Sequence, residues 1–164
     1  MPSVDVVSRV DFQAMDNAVN NAKREISTRY DFKGVATELV LDRKAKSIHL
    51  STGDEGKLRA VIDMLQTHAI RQKLDAKVFD VGTFEPTSHG GVKVDIKVKE
   101  GLSQDVARDM VKVVKGTKYK VQAAIQENQV RLTGKKIDEL QAIMKLFREK
   151  DYDLPLQFVN MKSD

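Results

Sequence analysis

Twice along this chain of 164 residues the hydrophobic period changes in one order: strand, helix, strand, strand, helix, strand. A period of two buries one face of a strand, and a period of about 3.6 buries one stripe of a helix. In the first half Val4, Val6 and Val7 make a β-branched strand. Asp11 is placed to cap a helix with the apolar stripe Phe12, Met15, Val19, Ala22 and Ile26. That helix is expected to end near Tyr30-Asp31, with Gly34 closing the turn. Strands are expected over 38–42 and 46–51, joined by Asp42-Arg43-Lys44-Ala45. Thr52 and Glu55 have the spacing of a capping box, which opens a helix burying Leu58, Ile62 and Leu65. A strand over 78–81 completes the half.

The segment 82–91, GTFEPTSHGG, reads as a linker, and then the order starts again. Val92, Val94, Ile96 and Val98 alternate with Lys93, Asp95 and Lys97, and Ser103 caps a helix bearing Val106, Met110 and Val114. A hairpin turning at Glu127-Asn128 precedes a helix with Ile137, Leu140, Met144 and Phe147. A strand over 156–159 closes the chain, with Pro155 marking an edge position. The expected class is α+β: two ferredoxin-like, split βαβ domains, over 1–88 and 89–164, each an antiparallel sheet with its helices on one face. The other face of each sheet is left uncovered.

The hairpin and the helix start after it, KYKVQAAIQENQVRLTGKK over 118–136, hold the most informative pattern. Val121, Ala123, Ile125, Val130 and Leu132 share the buried side. Lys120, Gln122, Ala124, Gln126, Arg131 and Thr133 share the open one, which is rich in amides and cations and poor in carboxylates. Lys135 and Lys136 sit at the positive pole of the next helix, where a cation is unfavourable by about 0.3–1 kcal/mol. Asp138 and Glu139 in the same turn offset part of this, and a phosphate-bearing ligand is expected to offset the rest.

Several sharper motifs fail on their own residues. Gly134-Lys135 lacks the earlier glycine and the following hydroxyl of a phosphate loop, because those positions are Gln129 and Lys136. Gly53-Asp54-Glu55-Gly56 has the glycine spacing of a KH clamp, but its acidic centre would repel phosphate. The open face carries no ring for base stacking, and alternation turns Tyr119 away from Lys120. In Arg29-Tyr30-Asp31-Phe32-Lys33, a helix C-terminus explains Arg29 and a core aromatic explains Phe32.

Cysteine is absent, and His49, His68 and His89 are far apart, so neither thiolate chemistry nor a metal site is expected. No residue has the setting of a catalytic nucleophile, and the expectation is a non-enzyme with no cofactor. No signal peptide and no membrane-spanning run is apparent, which points to the cytoplasm. The formal charge of +4 permits polyanion binding without demanding it.

The runs MPS-x-D-x-VS, RYDFKG, KVQAAIQ, TGKK-x-DELQA and PLQF together resemble the YajQ family of small bacterial proteins, over essentially the whole chain. The resemblance implies two ferredoxin-like domains that exchange their N-terminal strands. The strand at Val4 would then complete the second domain and the strand at Val92 the first. It also implies binding of a nucleotide, a cyclic dinucleotide such as cyclic di-GMP, or RNA, without enzymatic activity, and in some members a transcription regulator as partner. The alternative it leaves is an interaction adaptor that docks such a regulator under nucleotide control. By position, the implied site comprises Arg29, Asp31, Lys33, Lys118, Lys120, Gln122, Gln126, Arg131, Gly134, Lys135, Gln157 and Phe158, to which Lys136 is added from the helix start. Val4, where relatives often carry an aromatic residue, and the tail from Asn160 to Asp164 depart from the family pattern.

Overall fold

A computed structural model of the chain describes residues 1–163. In chain order the strands and helices are β1 (Ser3–Val7), α1 (Phe12–Thr28), β2 (Glu38–Asp42), β3 (Ser47–Thr52), α2 (Glu55–Arg71), β4 (Phe79–Val81), β5 (Glu85–Pro86), β6 (Val92–Val98), α3 (Gln104–Lys115), β7 (Val121–Gln126), β8 (Gln129–Gly134), α4 (Ile137–Glu149) and β9 (Gln157–Lys162). Short 3-10 turns span Tyr30–Phe32 and Ala76–Val78. The class is α+β, with helices and two antiparallel sheets in the split βαβ arrangement.

One compact unit is Val10–Lys99. Its sheet runs β2-β3-β6-β4, with β5 also pairing β6. Ile48 and Leu50 of β3 and Val94, Ile96 and Val98 of β6 point inward together because cross-strand partners Ile48↔Ile96 and Leu50↔Val94 are in register. Against them α1 buries Met15, Ala18, Val19 and Ala22, and α2 buries Leu58, Val61, Ile62, Met64 and Leu65. Asp11 caps α1 by accepting from the Gln13 and Ala14 amides at 3.0 and 3.2 Å. Replacing it (Asp11→Ala) should cost about 1 kcal/mol, read as a lower denaturant midpoint with an unchanged slope.

The other unit joins Met1–Arg9 to Glu100–Asp164. Its sheet runs β7-β8-β1-β9, so β9 is an edge. The N-terminal strand β1 lies between β8 and β9, pairing Val4 with Leu132 and Val6 with both Val130 and Phe158. The first strand of each half therefore serves the sheet built mainly from the other half, as the exchange pattern implies. The packed units differ from the linear halves 1–88 and 89–164 by those two strands. Val4, Val6, Met110, Leu132, Leu140, Ile143 and Phe147 form the core of this unit.

Three local expectations are corrected. The helix α1 stops at Thr28, because Arg29 is extended (φ −80°, ψ 132°), and Tyr30-Asp31 belong to the following 3-10 turn. The cap of α2 is Asp54, which accepts from the Lys57 amide at 2.8 Å. Thr52 instead ends β3, its hydroxyl paired with that of Thr37 at 2.9 Å, so the capping-box spacing was coincidental. The segment 82–91 is more than a linker. Its β5 joins the sheet, and a Cβ on Gly82 would come within 2.7 Å of the Asp95 carbonyl oxygen, so the chain passes hard against β6.

Candidate functional site

The face of the β7-β8-β1-β9 sheet opposite its own helices is built in cross-strand rows. Partners Gln122↔Thr133 and Thr133↔Ser3 continue to Lys162, and the neighbouring row runs Ala124, Arg131, Asp5 and Val159. Alternation places these side chains opposite the core, since Val121, Val130, Leu132, Val4 and Val6 are the buried set. A shallow cavity of about 320 Å³ opens there, lined by Ser3, Arg131, Asn160, Met161 and Lys162.

The face is not free of carboxylates, and this overturns part of the sequence expectation. Asp5 is only 1% exposed. Its oxygens accept from Arg131 Nε at 2.8 Å and Nη2 at 3.2 Å, and from Asn160 Nδ2 at 2.9 Å. The Arg131 hydrogen bond holds the Asp5 carboxyl below its ordinary range, against the effect of burial and with help from Asn160. Asp5 in turn raises Arg131. Asn160 reaches it from a bulge in β9, where the register with β1 shifts and the Asn160 backbone is left-handed (φ 55°), a conformation asparagine tolerates better than most residues. Arg131 is thus an internal strut first, with about half its side chain exposed beside the cavity.

At one end of the hairpin, where β7 begins and β8 ends, Val121 pairs with Gly134. The Lys120 amide donates to Glu139 Oε2 of α4 at 2.7 Å, which ties the start of that helix to this corner. Lys118, Lys120, Lys135 and Lys136 are all exposed here. Among the described residues none of these ammonium groups has a carboxylate within ion-pair distance. Lys136 is the N-cap of α4 and makes no side-chain cap bond, while Asp138 and Glu139 lie in the first turn. Gly134 is explained by packing: a Cβ there would sit 3.3 Å from both the Lys120 carbonyl oxygen and a Val121 methyl.

The remaining expected residues are placed as follows. Gln122 and Gln126 are exposed on the open face, and Gln126 Oε1 accepts from Gln129 Nε2 at 3.3 Å. The Gln157 side chain accepts from the Arg9 amide at 2.7 Å. Phe158 packs on the core side, with the Arg148 guanidinium 4.7 Å from its ring centroid. Tyr119 also packs on the core, as alternation required.

Arg29, Asp31 and Lys33 belong to the other unit. Arg29 forms a fork with Asp31 (Nε–Oδ1 3.0 Å, Nη2–Oδ2 2.8 Å) and lies 5.6 Å over the Phe32 ring. That hydrogen bond lowers Asp31 and raises Arg29. Lys33 and Tyr30 border an open groove of about 670 Å³ beside the end of α1. Sequence reasoning missed Asp5, Ser3, Asn160 and Lys162. Only the strand exchange, applied residue by residue, would have brought Asp5 beside Arg131. Among the described residues no cluster of metal-ligating side chains occurs, and no helix is long and apolar enough to cross a membrane.

Two split βαβ units with exchanged first strands, one of them carrying exposed lysines around the start of α4, define a small α+β protein of paired ferredoxin-like units. The family profile described as "Nucleotide-binding protein YajQ-like" matches residues 2–162, and the chain belongs to that family. It is 55% identical over 163 residues to a protein of Nitratidesulfovibrio vulgaris (strain Miyazaki F) named "Nucleotide-binding protein", covering 99% of this chain and 100% of the relative. A similarly named protein of Dehalococcoides mccartyi (strain BAV1) is 53% identical over 162 residues, with 99% of each chain covered. Another from Geotalea daltonii is 46% identical over 162 residues, again with 99% of each covered.

Proposed function

We propose that this chain is a non-enzymatic nucleotide-binding protein that holds the phosphate of a nucleotide, a cyclic dinucleotide or RNA at the lysine corner of its open sheet. The observation that carries this reading is the set of exposed lysines Lys118, Lys120, Lys135 and Lys136 on the segments that meet where β7 begins, β8 ends and α4 starts, with no ion pair to a carboxylate among the described residues. Exposed cations near a helix N-terminus, offset only in part by Asp138 and Glu139 in the first turn, favour an anion there. Phosphate binds there by charge-assisted hydrogen bonds, and Gln122, with Ser3 and Thr133 in its row, offers donors and acceptors to ribose or base. Arg131 contributes through the geometry of Asp5 and the cavity wall rather than as a free cation.

The test is a titration of a fluorescent nucleotide against the wild-type chain and the double variant Lys120→Ala, Lys136→Ala. Both side chains are exposed and form no ion pair among the described residues, so the variant should keep its thermal midpoint within about 2 °C. Its affinity should fall about tenfold or more. Equal affinity for the two proteins removes the lysine corner from the binding account.

An adaptor role draws on a different observation. The strand β7 is the outer edge of its sheet, and Ile125 on it is 37% exposed. Such an edge can accept a strand from a transcription regulator. A pull-down with nuclease-treated lysate, with and without added nucleotide, tests it, and a charged substitution (Ile125→Lys) should abolish any stable capture.

A further inference from the structure

The sheet of the Val10–Lys99 unit ends on β2, and that edge is left open. Among the described residues only β3 hydrogen-bonds to the β2 backbone, so alternate amides and carbonyls of the strand point away from the sheet. The register with β3 is unbroken from Glu38 to Asp42, with no proline and no left-handed residue, so the edge is not kinked out of reach. Its two faces differ. Leu39 is buried, while Val40 on the opposite face is 43% exposed between the exposed Glu38 and Asp42. In the cross-strand rows Glu38 meets Ser51 and Asp42 meets Ser47, and Lys93 and Lys97 come only one strand further on. Neither carboxylate has a cation as its cross-strand neighbour. Beside Leu39, the side chains of Ile26 and Phe32 help to line an open groove of about 670 Å³. A strand laid along β2 would turn alternate side chains toward this groove.

We propose that β2 is a docking edge for an extended segment of a partner protein in which basic and apolar residues alternate. Main-chain hydrogen bonds add the segment to the sheet as a further strand, and the alternation gives it specificity. Basic side chains on one face stand opposite Glu38 and Asp42, and the aliphatic stem of another covers Val40. Apolar side chains on the other face continue the layer of Leu39 into the groove. A second copy of β2 is a poor occupant, because antiparallel pairing about Val40 would set Glu38 against Asp42, like charge on like. The edge belongs to a different unit from β7, and the inference does not rest on the nucleotide-binding reading above.

The experiment follows backbone amide resonances of the full chain on titration with a short synthetic peptide of alternating lysine and valine. Amides of residues 37–42 should shift, and the outward-facing ones should exchange with solvent about tenfold more slowly at saturation. The same peptide with its outer amides N-methylated cannot extend the ladder and should leave these resonances in place. Glu38→Lys, at an exposed position, should weaken the lysine–valine peptide about fivefold and take up a glutamate–valine peptide that the wild type refuses. The proposal is overturned if the N-methylated peptide shifts the same amides, if Glu38→Lys treats both peptides as the wild type does, or if residues 37–42 do not respond. Shifts of residues 37–42 on concentrating the chain alone would give the edge to a second copy. Displacement of the peptide by ATP would give the groove to a nucleotide. Either result also overturns it.

Discussion

Arg131→Met is expected to destabilise the β7-β8-β1-β9 unit more than loss of any other surface cation. Asp5 is 1% exposed, and after the substitution only Asn160 would still donate to its carboxylate. Removing one member of a buried pair leaves a desolvated charge, which is far worse than never having had the pair. The reciprocal change, Asp5→Asn, removes the charge but turns an amide donor toward the guanidinium, and should cost about 2–3 kcal/mol. In a chain of this size that lowers the thermal midpoint by about 5–10 °C. The two variants differ in their pH dependence. In the wild type the Asp5 pKa is depressed in the fold, so its stabilisation is present above the unfolded carboxylate pKa and is lost as pH falls through the folded one. In Arg131→Met the largest lowering influence is gone, and only Asn160 and the more distant Arg9 still oppose the upward push of burial on the carboxyl. The deficit relative to wild type is therefore largest near neutrality and shrinks with acidification. Thermal melts of the three proteins across acid pH check this, and parallel curves would refute the strut.

Deleting residues 1–9 should unfold the Glu100–Asp164 part of its unit while sparing Val10–Lys99. The strand β1 lies between β8 and β9, so its loss strips both ladders at once and leaves β9 with no neighbour. Val4 and Val6 are 1% and 0% exposed. Their burial alone contributes about 3–6 kcal/mol, comparable with the whole stability of a small domain. Amide spectra should lose dispersed resonances for residues 100–163 and keep those for 10–99. A synthetic peptide of residues 1–9, added in trans, should restore them by strand addition. Dispersed resonances from both regions without the peptide would mean that β1 is not integral to the sheet.

These two results bear on what could be read from residues alone. Strict alternation through Val92–Val98 and through the hairpin announced strands because each buries one face and wets the other, and the Asp11 and Ser103 caps followed from local chemistry. Local pattern could not choose between Thr52 and Asp54 as the cap of α2, since both satisfy an offset rule. The decision came from β3, which extends through Thr52 and engages its hydroxyl with Thr37. The Asp5–Arg131 pair spans 126 positions. It exists only because β1 crosses to the other unit, so a face that looked free of carboxylates acquired one from the far end of the chain. The lysine corner was legible, because it depends on a hairpin and the helix after it. The turn at Arg29–Lys33 entered only through the family resemblance, because a helix end and a core aromatic account for Arg29 and Phe32 by themselves.

Phosphate capture by unpaired lysines is the claim on which the functional reading turns, and its salt dependence measures it most directly. The wild-type chain is titrated with a nucleotide and with the matching nucleoside at salt concentrations from about 50 to about 200 mM. The account predicts that nucleotide affinity falls steadily as salt rises, that the nucleoside binds far more weakly, and that the slope flattens in Lys120→Ala, Lys136→Ala. A nucleoside that binds as tightly as its nucleotide, or an affinity indifferent to salt, would contradict it.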